Sequence, residues 1–362
     1  MTPGKPRVNL PGYVNTVPHF ASALATGRLV ARKFFTVDTR AIQHIVHTSG
    51  YRYKKCVDIT QMNRNMFGRG ILWASGNVHK RHRKVINPAF VAQQLRSFLL
   101  LFQTIGSCMT RKYSAGKSGS IYPLEARSTL DVIGQGIRAL PDPFPATFDY
   151  HLGALDDARD ELFRSMDSLL HCGATYPDAF SDSLSFKTVC RRIAQQLFAQ
   201  KIWILPQRMD QDGISFRANA SEDPQHQLDE DEVLSQMRTI ILAGHDTVPS
   251  SLSWMLYELA KHPDAQRKIR EEIRALRAQL PDAAAFTVAD LDSLPYTNAT
   301  IKEALRLHPI LPTIFRTAEE KDIVLLAMPI VTSDRQTIKE LHAKKGQDFS
   351  MSISGYSRLQ SV

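Results

Sequence analysis

The chain is sparing with cysteine, and it contains no two cysteines at a short spacing. The four cysteines are scattered along the sequence, at Cys56, Cys108, Cys172 and Cys190. Disulfide frameworks and zinc sites both need more cysteines or much closer pairs of them. The pattern therefore excludes both classes and indicates a reducing compartment.

Long apolar runs are also lacking. The richest run, residues 98–102, holds five apolar residues, whereas a helix that spans a bilayer needs about 20. The N-terminal residues show no apolar core of a secretory signal. We therefore expect residues 1–35 to form an N-terminal segment that lacks a membrane anchor.

No nucleic-acid motif accompanies the basic balance of the chain. The net charge is +9 at pH 7, with 43% hydrophobic and 22% charged residues. This composition is that of an ordinary globular protein. Since no strip of basic and aromatic residues is present, we expect a solvated basic surface and no nucleic-acid partner.

A long apolar helix is predicted at residues 229–260, and a polar motif interrupts it. Residues 243–247 read Ala-Gly-His-Asp-Thr, and Pro249 follows two residues later. Glycine costs about 1 kcal/mol relative to alanine inside a helix, and Asp and Thr compete for backbone hydrogen bonds. Proline removes one helical donor. These residues favour a locally opened helix whose polar groups face a cavity; the alternative is a kinked core helix with a satisfied threonine.

Two charged patterns lie on other predicted helices. Glu303 and Arg306 are three residues apart and share one helix face, which by itself indicates a surface ion pair. His79 and Arg83 are one helical turn apart within a basic segment, which indicates a solvated basic face or an anion-binding patch. His79 with His82 lacks a third metal ligand, so no metal site is assigned.

In this order, the motifs resemble those of the heme-thiolate monooxygenases, the cytochromes P450. The segment around residues 79–83 resembles the basic helix of that family, residues 243–247 its oxygen-side helix, and residues 303–306 its Glu-x-x-Arg helix. Shorter matches lie at residues 67–72, 87–90, 315–318, 346–349 and 355–358. The resemblance covers residues 36–358 and is closest to fungal microsomal members. It implies a mainly α fold with a minor β region, which is the P450-like fold.

The resemblance implies roles for residues of the long helix and of the Glu-x-x-Arg helix. Asp246 and Thr247 would be catalytic and deliver protons during oxygen activation, while Gly244 would leave room for dioxygen. Glu303 and Arg306 would be structural and hold the core behind the heme.

The resemblance also implies a cofactor site. His79, Arg83 and Arg316 would bind the propionates of heme, because two buried carboxylates need cationic partners. An NADPH-dependent reductase and a small lipophilic substrate, such as a terpenoid of fungal secondary metabolism, are the implied partners. Members of the family are associated with the endoplasmic-reticulum membrane, but the localisation of this chain stays open.

The iron ligand of the family is a cysteine that follows the Glu-x-x-Arg helix. All four cysteines precede that helix here, so none is assigned as the axial ligand. We therefore expect a P450-like domain, residues 36–362, that is truncated before the ligand loop and inactive as it stands. The alternative is a non-catalytic pseudoenzyme or helical scaffold without heme. Residues 138–147 carry three prolines and are either an inserted loop or a gene-model artefact.

Overall fold

A computed structural model describes residues 33–114, 121–138, 227–281, 284–331 and 335–359. Its mainly α architecture with a minor β region confirms the predicted fold class. The helices in chain order are α1 (Thr39–Gln43), α2 (Val57–Phe67), α3 (Gly76–Ile86), α4 (Ala92–Ser97), α5 (Leu99–Ser114), α6 (Ile121–Arg138), α7 (Glu230–Lys261), α8 (Pro263–Arg277), α9 (Val288–Asp292), α10 (Pro295–Leu307) and α11 (Ile353–Tyr356). The strands are β1 (Lys33–Thr36), β2 (Tyr53–Lys54), β3 (Thr313–Ala318), β4 (Asp322–Val331), β5 (Thr337–Ala343) and β6 (Asp348–Ser352). The proline-rich break at 138–147 lies, apart from Arg138, outside the described residues.

Local capping explains where several helices begin. Asp229 and Glu232 form a reciprocal capping box at the start of α7, and Thr287 and Asp290 form another at α9. Asp38 accepts a hydrogen bond from the backbone N–H of Ala41 at the start of α1. These side chains satisfy donors that the first helical turn leaves without partners, and the helix starts predicted from Asp38 and Thr287 are confirmed.

The small sheets bring distant parts of the chain together. One sheet has the strand order β1-β6-β3-β2, with β1 parallel to β6, and β4 and β5 form a separate hairpin. Phe349 and Met351 of β6 are fully buried against Ile45 and Tyr53. β1 begins at Lys33, three residues before the expected start of the domain. The pairing of β4 with β5 is interrupted by an irregular register between Leu325 and Ile330.

Phe98 separates α4 from α5. Among the described residues, no single helix has the length and apolarity to cross a bilayer; by length and composition alone, only a pair comprising residues 76–97 and α5, bent by 67°, meets the test.

α7 is the central helix of the described region. It packs antiparallel on α6, because Glu125 meets Ser253 near one end of the contact and Ile133 meets Gly244 near the other. At its C-terminal end, the Trp254 ring stacks on the His308 ring with centroids 4.0 Å apart. α7 therefore links the α6 side of the molecule to the helix that carries Glu303 and Arg306.

Candidate functional site

Lys55 lies beside the predicted cationic residues, although the sequence did not single it out. Its Nζ donates to the carbonyls of Ile71, Leu72 and Ala74 at 2.7–3.0 Å, which uses all three ammonium donors. Burial, and to a smaller extent the nearby charge of Arg316, lower the pKa of Lys55 to about 8. Lys55 therefore holds the loop that precedes α3 and places a buried positive charge next to it.

His79 lies beside these cations. Burial lowers its pKa below the ordinary value, and the charges of Lys55, Arg83 and His82 act in the same direction. Its Nδ1 lies 2.8 Å from the Tyr51 hydroxyl. With Tyr51 as the donor, the ring is neutral and its proton lies on Nε2.

Arg316 enters this group from β3. The strand pairs Arg316 with Phe349 of β6, and the Arg316 Nη1 donates to the Phe315 carbonyl at 2.8 Å. Burial lowers the pKa of the guanidinium, while the Cys56 thiol raises it. The charge of Arg316 acts on Lys55 and the charge of Lys55 acts on His79, so Lys55 connects the two predicted positions.

The structure therefore relates His79 and Arg316 through Lys55, and Arg83 through its charge beside His79. Among the described residues, no carboxylate contributes to the pKa shifts of His79, Lys55 or Arg316. Partly buried cations without such compensation favour an anionic ligand. We call Lys55, His79, Arg83 and Arg316 the cationic cluster. No sequence pattern marked Lys55, because its role depends on contacts with three separate segments.

A buried hydrogen-bond network sets the position of α3 against α7. Ile71 N donates to Gln236 Oε1 at 2.9 Å, so the Gln236 amide nitrogen donates to His82 Nδ1 at 2.8 Å. His82 Nε2 then donates to Glu232 Oε1 at 3.3 Å, and Arg81 reaches the same oxygen at 2.5 Å. This chain of donors assigns a neutral His82 with its proton on Nε2, in keeping with the pKa that burial lowers. His82 is therefore a structural histidine.

The polar motif lies within α7, which is helical from Glu230 to Lys261. The helix is continuous through this motif, so the expected local opening is absent. Hydroxyl groups of the motif form hydrogen bonds within the helix. Thr247 Oγ1 donates to the Ala243 carbonyl at 2.8 Å, and Ser250 Oγ lies 3.4 Å from Asp246 Oδ1. A threonine bonded to the carbonyl four residues earlier leaves the helical path intact. Asp246 and Thr247 are both half-buried.

Gly244 allows α6 and α7 to approach closely. A Cβ at this position would lie 2.3 Å from Ile133 Cδ1 and 2.9 Å from Ile133 Cγ1. Such distances are well below van der Waals contact, so a side chain here would force Ile133 to move. The space that Gly244 provides is filled by Ile133 in this structure, whereas the resemblance assigned that space to dioxygen.

Glu303 and Arg306 form a two-point ion pair on α10. Arg306 Nε and Nη2 donate to the two carboxylate oxygens of Glu303, each at 2.7 Å. Arg306 Nη1 also donates to the Ser357 carbonyl, and Arg358 donates to the Leu307 carbonyl. The pair is about half exposed, yet these two arginines connect α10 to the segment after α11.

The cysteines do not form a metal site in the part of the chain that the structure describes. Cys56 is buried, and its Sγ lies 3.2 Å from Thr317 Oγ1 and 3.7 Å from Asp348 Oδ1. Cys108 is half-buried on α5, and Cys172 and Cys190 lie outside the described residues. No group of three potential ligands is present there either, so no described cysteine is assigned to a metal.

Glu125 is a buried acid that the sequence reading missed. It is 1% exposed, and its Oε2 accepts a hydrogen bond from Ser253 Oγ at 2.7 Å. Within the described residues, its Oε1 has no hydrogen-bond partner. Burial raises the pKa of Glu125 to about 7, against the weaker opposite effect of the Ser253 hydrogen bond. An acidic residue inside an amphipathic helix was the only sequence signal that could have marked it.

These features define a mainly helical protein. Its cationic cluster lies in the region of α3 and β3, and Asp246 and Thr247 lie on the long central helix α7. The sequence model that describes the cytochrome P450 family matches residues 31–334. The chain belongs to the cytochrome P450 family, as its motifs had suggested.

Similar proteins come from fungi. The chain is 30% identical to cytochrome P450 monooxygenase 128 of Postia placenta, over 89% of this chain and 64% of that protein. It is 27% identical to cytochrome P450 monooxygenase 205 of the same organism, over 97% of this chain and 68% of that protein. It is also 27% identical to cytochrome P450 monooxygenase claQ of Ampulloclitocybe clavipes, over 88% of this chain and 63% of that protein. The chain thus spans roughly two thirds of the length of these relatives.

Proposed function

We propose that the chain is part of a heme-dependent monooxygenase and that its cationic cluster binds the heme propionates. The observation that carries this proposal is the cationic cluster: among the described residues, no carboxylate contributes to the pKa shifts of Lys55, His79 and Arg316. A buried ligand with two carboxylates matches such a group. Heme supplies the oxygen-activating chemistry of the family.

Each residue of the cationic cluster contributes to propionate binding in a different way. Lys55 uses its donors on backbone carbonyls, so it acts through its charge and by holding the loop before α3. Neutral His79 donates from Nε2 when Tyr51 occupies Nδ1. Arg83 is exposed and Arg316 half-buried, and both guanidinium groups suit two-point binding to a carboxylate.

Asp246 and Thr247 would handle protons on the oxygen side. Thr247 Oγ1 bonds to the Ala243 carbonyl, and Asp246 lies next to Ser250, so both polar groups are held at defined positions on α7. The substrate would be a small lipophilic molecule, with terpenoids as the first class to examine. The exposed basic residues of α3 would meet an acidic surface of an NADPH-dependent reductase.

Titration with hemin tests the cofactor proposal directly. Saturable growth of the Soret band is expected for the full chain. The variant Arg316→Ala should bind hemin roughly 10- to 100-fold more weakly, since one charged hydrogen bond is lost. His79→Ala should weaken binding only a few-fold, because the neutral imidazole provides one ordinary hydrogen bond.

The matched control is Arg267→Ala, which removes an exposed arginine of α8 and should leave hemin affinity unchanged. Equal affinities of Arg316→Ala and Arg267→Ala would contradict the propionate assignment. A chain that shows no saturable hemin binding would instead be a helical scaffold. Product formation from a terpenoid panel, with reductase and NADPH, then tests the monooxygenase activity in a fusion that appends a related C-terminal segment carrying the cysteine loop of the family, and Thr247→Ala should lower it without a matching loss of hemin affinity.

A further inference from the structure

Pro249 removes one backbone hydrogen-bond donor from α7. In an α-helix, the N–H of residue 249 would donate to the carbonyl of residue 245, but Pro249 has no N–H. Helix α7 nevertheless continues through this point to Lys261. His245 and Pro249, four residues apart on one face, are both fully buried. The carbonyl of His245 therefore faces the interior at the place where the helical donor is absent.

A hydroxyl from the neighbouring helix lies at that position. Thr129 Oγ1 of α6 is 3.2 Å from the His245 carbonyl oxygen and 3.0 Å from the carbonyl oxygen of Ala126 in its own helix. One hydroxyl proton serves both acceptors, so the bond is shared. The contact joins residues 116 positions apart in the sequence.

Two further contacts flank this one along α6. Ser253 donates to Glu125 one turn before Thr129, and Ile133 fills the space beside Gly244 one turn after it. Positions 125, 129 and 133 share one face of α6, since residues four apart are neighbours on a helix. This face therefore contacts α7 on both sides of Pro249.

Helix geometry relates these contacts to the candidate oxygen-side pair. Thr247 lies about 200° round the helix from His245, and thus on the opposite side of α7 from the Thr129 contact. Any change in the path of α7 at Pro249 would alter the direction in which Asp246 and Thr247 point.

We propose that Thr129 is a positioning residue whose hydroxyl replaces the hydrogen bond that Pro249 cannot make and thereby sets the orientation of Asp246 and Thr247. The role assigned to those two residues rests on the proposed function; the replacement of the hydrogen bond does not.

A double-mutant cycle in the full chain tests the replacement without heme. Hydrogen exchange of the amides in residues 244–252 is compared in the wild type, Thr129→Val, Pro249→Ala and the double variant. Thr129→Val should speed this local exchange roughly 2- to 10-fold, the effect of one hydrogen bond. Pro249→Ala restores the N–H, so the valine substitution should change exchange less than about twofold in that background.

Two controls separate this effect from a general loss of packing. Thr129→Ser keeps the hydroxyl and should exchange like the wild type. Thr110→Val of α5 removes a hydroxyl that donates to the Gly106 carbonyl of its own helix, and it should leave exchange in residues 244–252 unchanged. Equal effects of Thr129→Val in the proline and alanine backgrounds would overturn the proposal.

Two further outcomes are informative. If Thr129→Val does not fold, the double variant with Pro249→Ala should fold, and its failure to do so would also overturn the proposal. In protein that binds hemin, Thr129→Val should lower the product formed per NADPH consumed at unchanged hemin affinity, and Thr129→Ser should restore it. Absence of heme binding would count against the proposed function, while the heme-free cycle would still decide the role of Thr129.

Discussion

At the scale of single residues, the environment decides the chemistry of each ionisable group. Glu125 and Glu303 are both glutamates on helices, but Glu125 is buried and Glu303 is about half exposed. Burial raises the pKa of Glu125 to about 7, whereas the ion pair with Arg306 lowers the pKa of Glu303. Position in the fold thus gives one residue type two protonation states near neutral pH.

The raised pKa of Glu125 predicts that this residue destabilises the protein at alkaline pH. Between the ordinary value of 4.5 and about 7, the unfolded chain has lost the proton that the folded protein retains. The contribution of Glu125 to stability therefore falls as pH rises through this window, by at most about 3 kcal/mol. Glu125→Gln should lose this slope, as measured by urea unfolding at pH 5 and pH 8.

Glu271→Gln provides the control, because Glu271 is an exposed residue of α8 with only a 3.9 Å ion pair to Arg267. It should retain the pH dependence of the wild type. An unchanged slope in Glu125→Gln would mean that Glu125 is ionised in the folded protein.

At the scale of secondary-structure elements, the contact between α6 and α7 is the most informative. A glycine, a proline and a threonine are all unfavourable or neutral in a helix when considered alone. In the structure, Gly244 faces Ile133, and the Thr129 hydroxyl reaches the carbonyl that Pro249 leaves without a helical donor. The neighbouring helix thus accounts for residues that local propensity disfavours.

The close approach at Gly244 predicts a non-additive effect on stability. Gly244→Ala should gain about 1 kcal/mol of helix propensity but lose about 1–3 kcal/mol through overpacking against Ile133. In an Ile133→Ala background the steric conflict is absent, so Gly244→Ala should be stabilising there. Urea unfolding of the four proteins measures the coupling.

If the effects of Gly244→Ala and Ile133→Ala on the free energy of unfolding are additive, Ile133 moves aside without cost. The comparison is internal, since the cost of Ile133→Ala itself cancels between the two backgrounds.

At the scale of the whole molecule, one carboxylate ties the β4–β5 hairpin to the segment after α1. Asp322 Oδ2 lies 2.8 Å from His44 Nε2 and accepts from the Tyr53 hydroxyl at 3.0 Å, while Oδ1 accepts from Arg52 at 3.2 Å. Burial alone would raise the pKa of Asp322, but these hydrogen bonds and the Arg52 charge lower it below its ordinary 3.8. Asp322 therefore favours the folded state when ionised.

The sign of this shift predicts an acid-sensitive contribution. A lowered folded-state pKa means that stability is present above the ordinary pKa and is lost as pH falls through the folded value. Asp322→Asn should cost about 1–3 kcal/mol at pH 7, as expected for charged hydrogen bonds, and less at pH 3, where the unfolded chain is already mostly protonated at this position. Urea unfolding at both pH values provides the measurement.

Asp292→Asn on α9 is the matched control, because Asp292 is exposed. It should cost little at either pH. A cost of Asp322→Asn that persists undiminished at pH 3 would show that the hydrogen-bond geometry, and not the charge, supplies the stability.

The sequence by itself determined the family, the fold class and most helix starts. Capping residues such as Asp38 and Thr287 act on backbone groups three residues away, so their effect is local and visible in the sequence. The order and spacing of the two central motifs likewise predicted a family that the comparison confirmed. The roles of the candidate site residues remain predictions.

Only the tertiary structure decided which side chains act together. Lys55 joins His79 and Arg316 although these residues belong to three segments, and Thr129 meets His245 across 116 positions. The pKa of Glu125 likewise depends on the helix that covers it. Desolvation and contacts between distant segments depend on packing, which no local pattern specifies. For that reason the sequence predicted the helices, and the fold decided how they combine into a site.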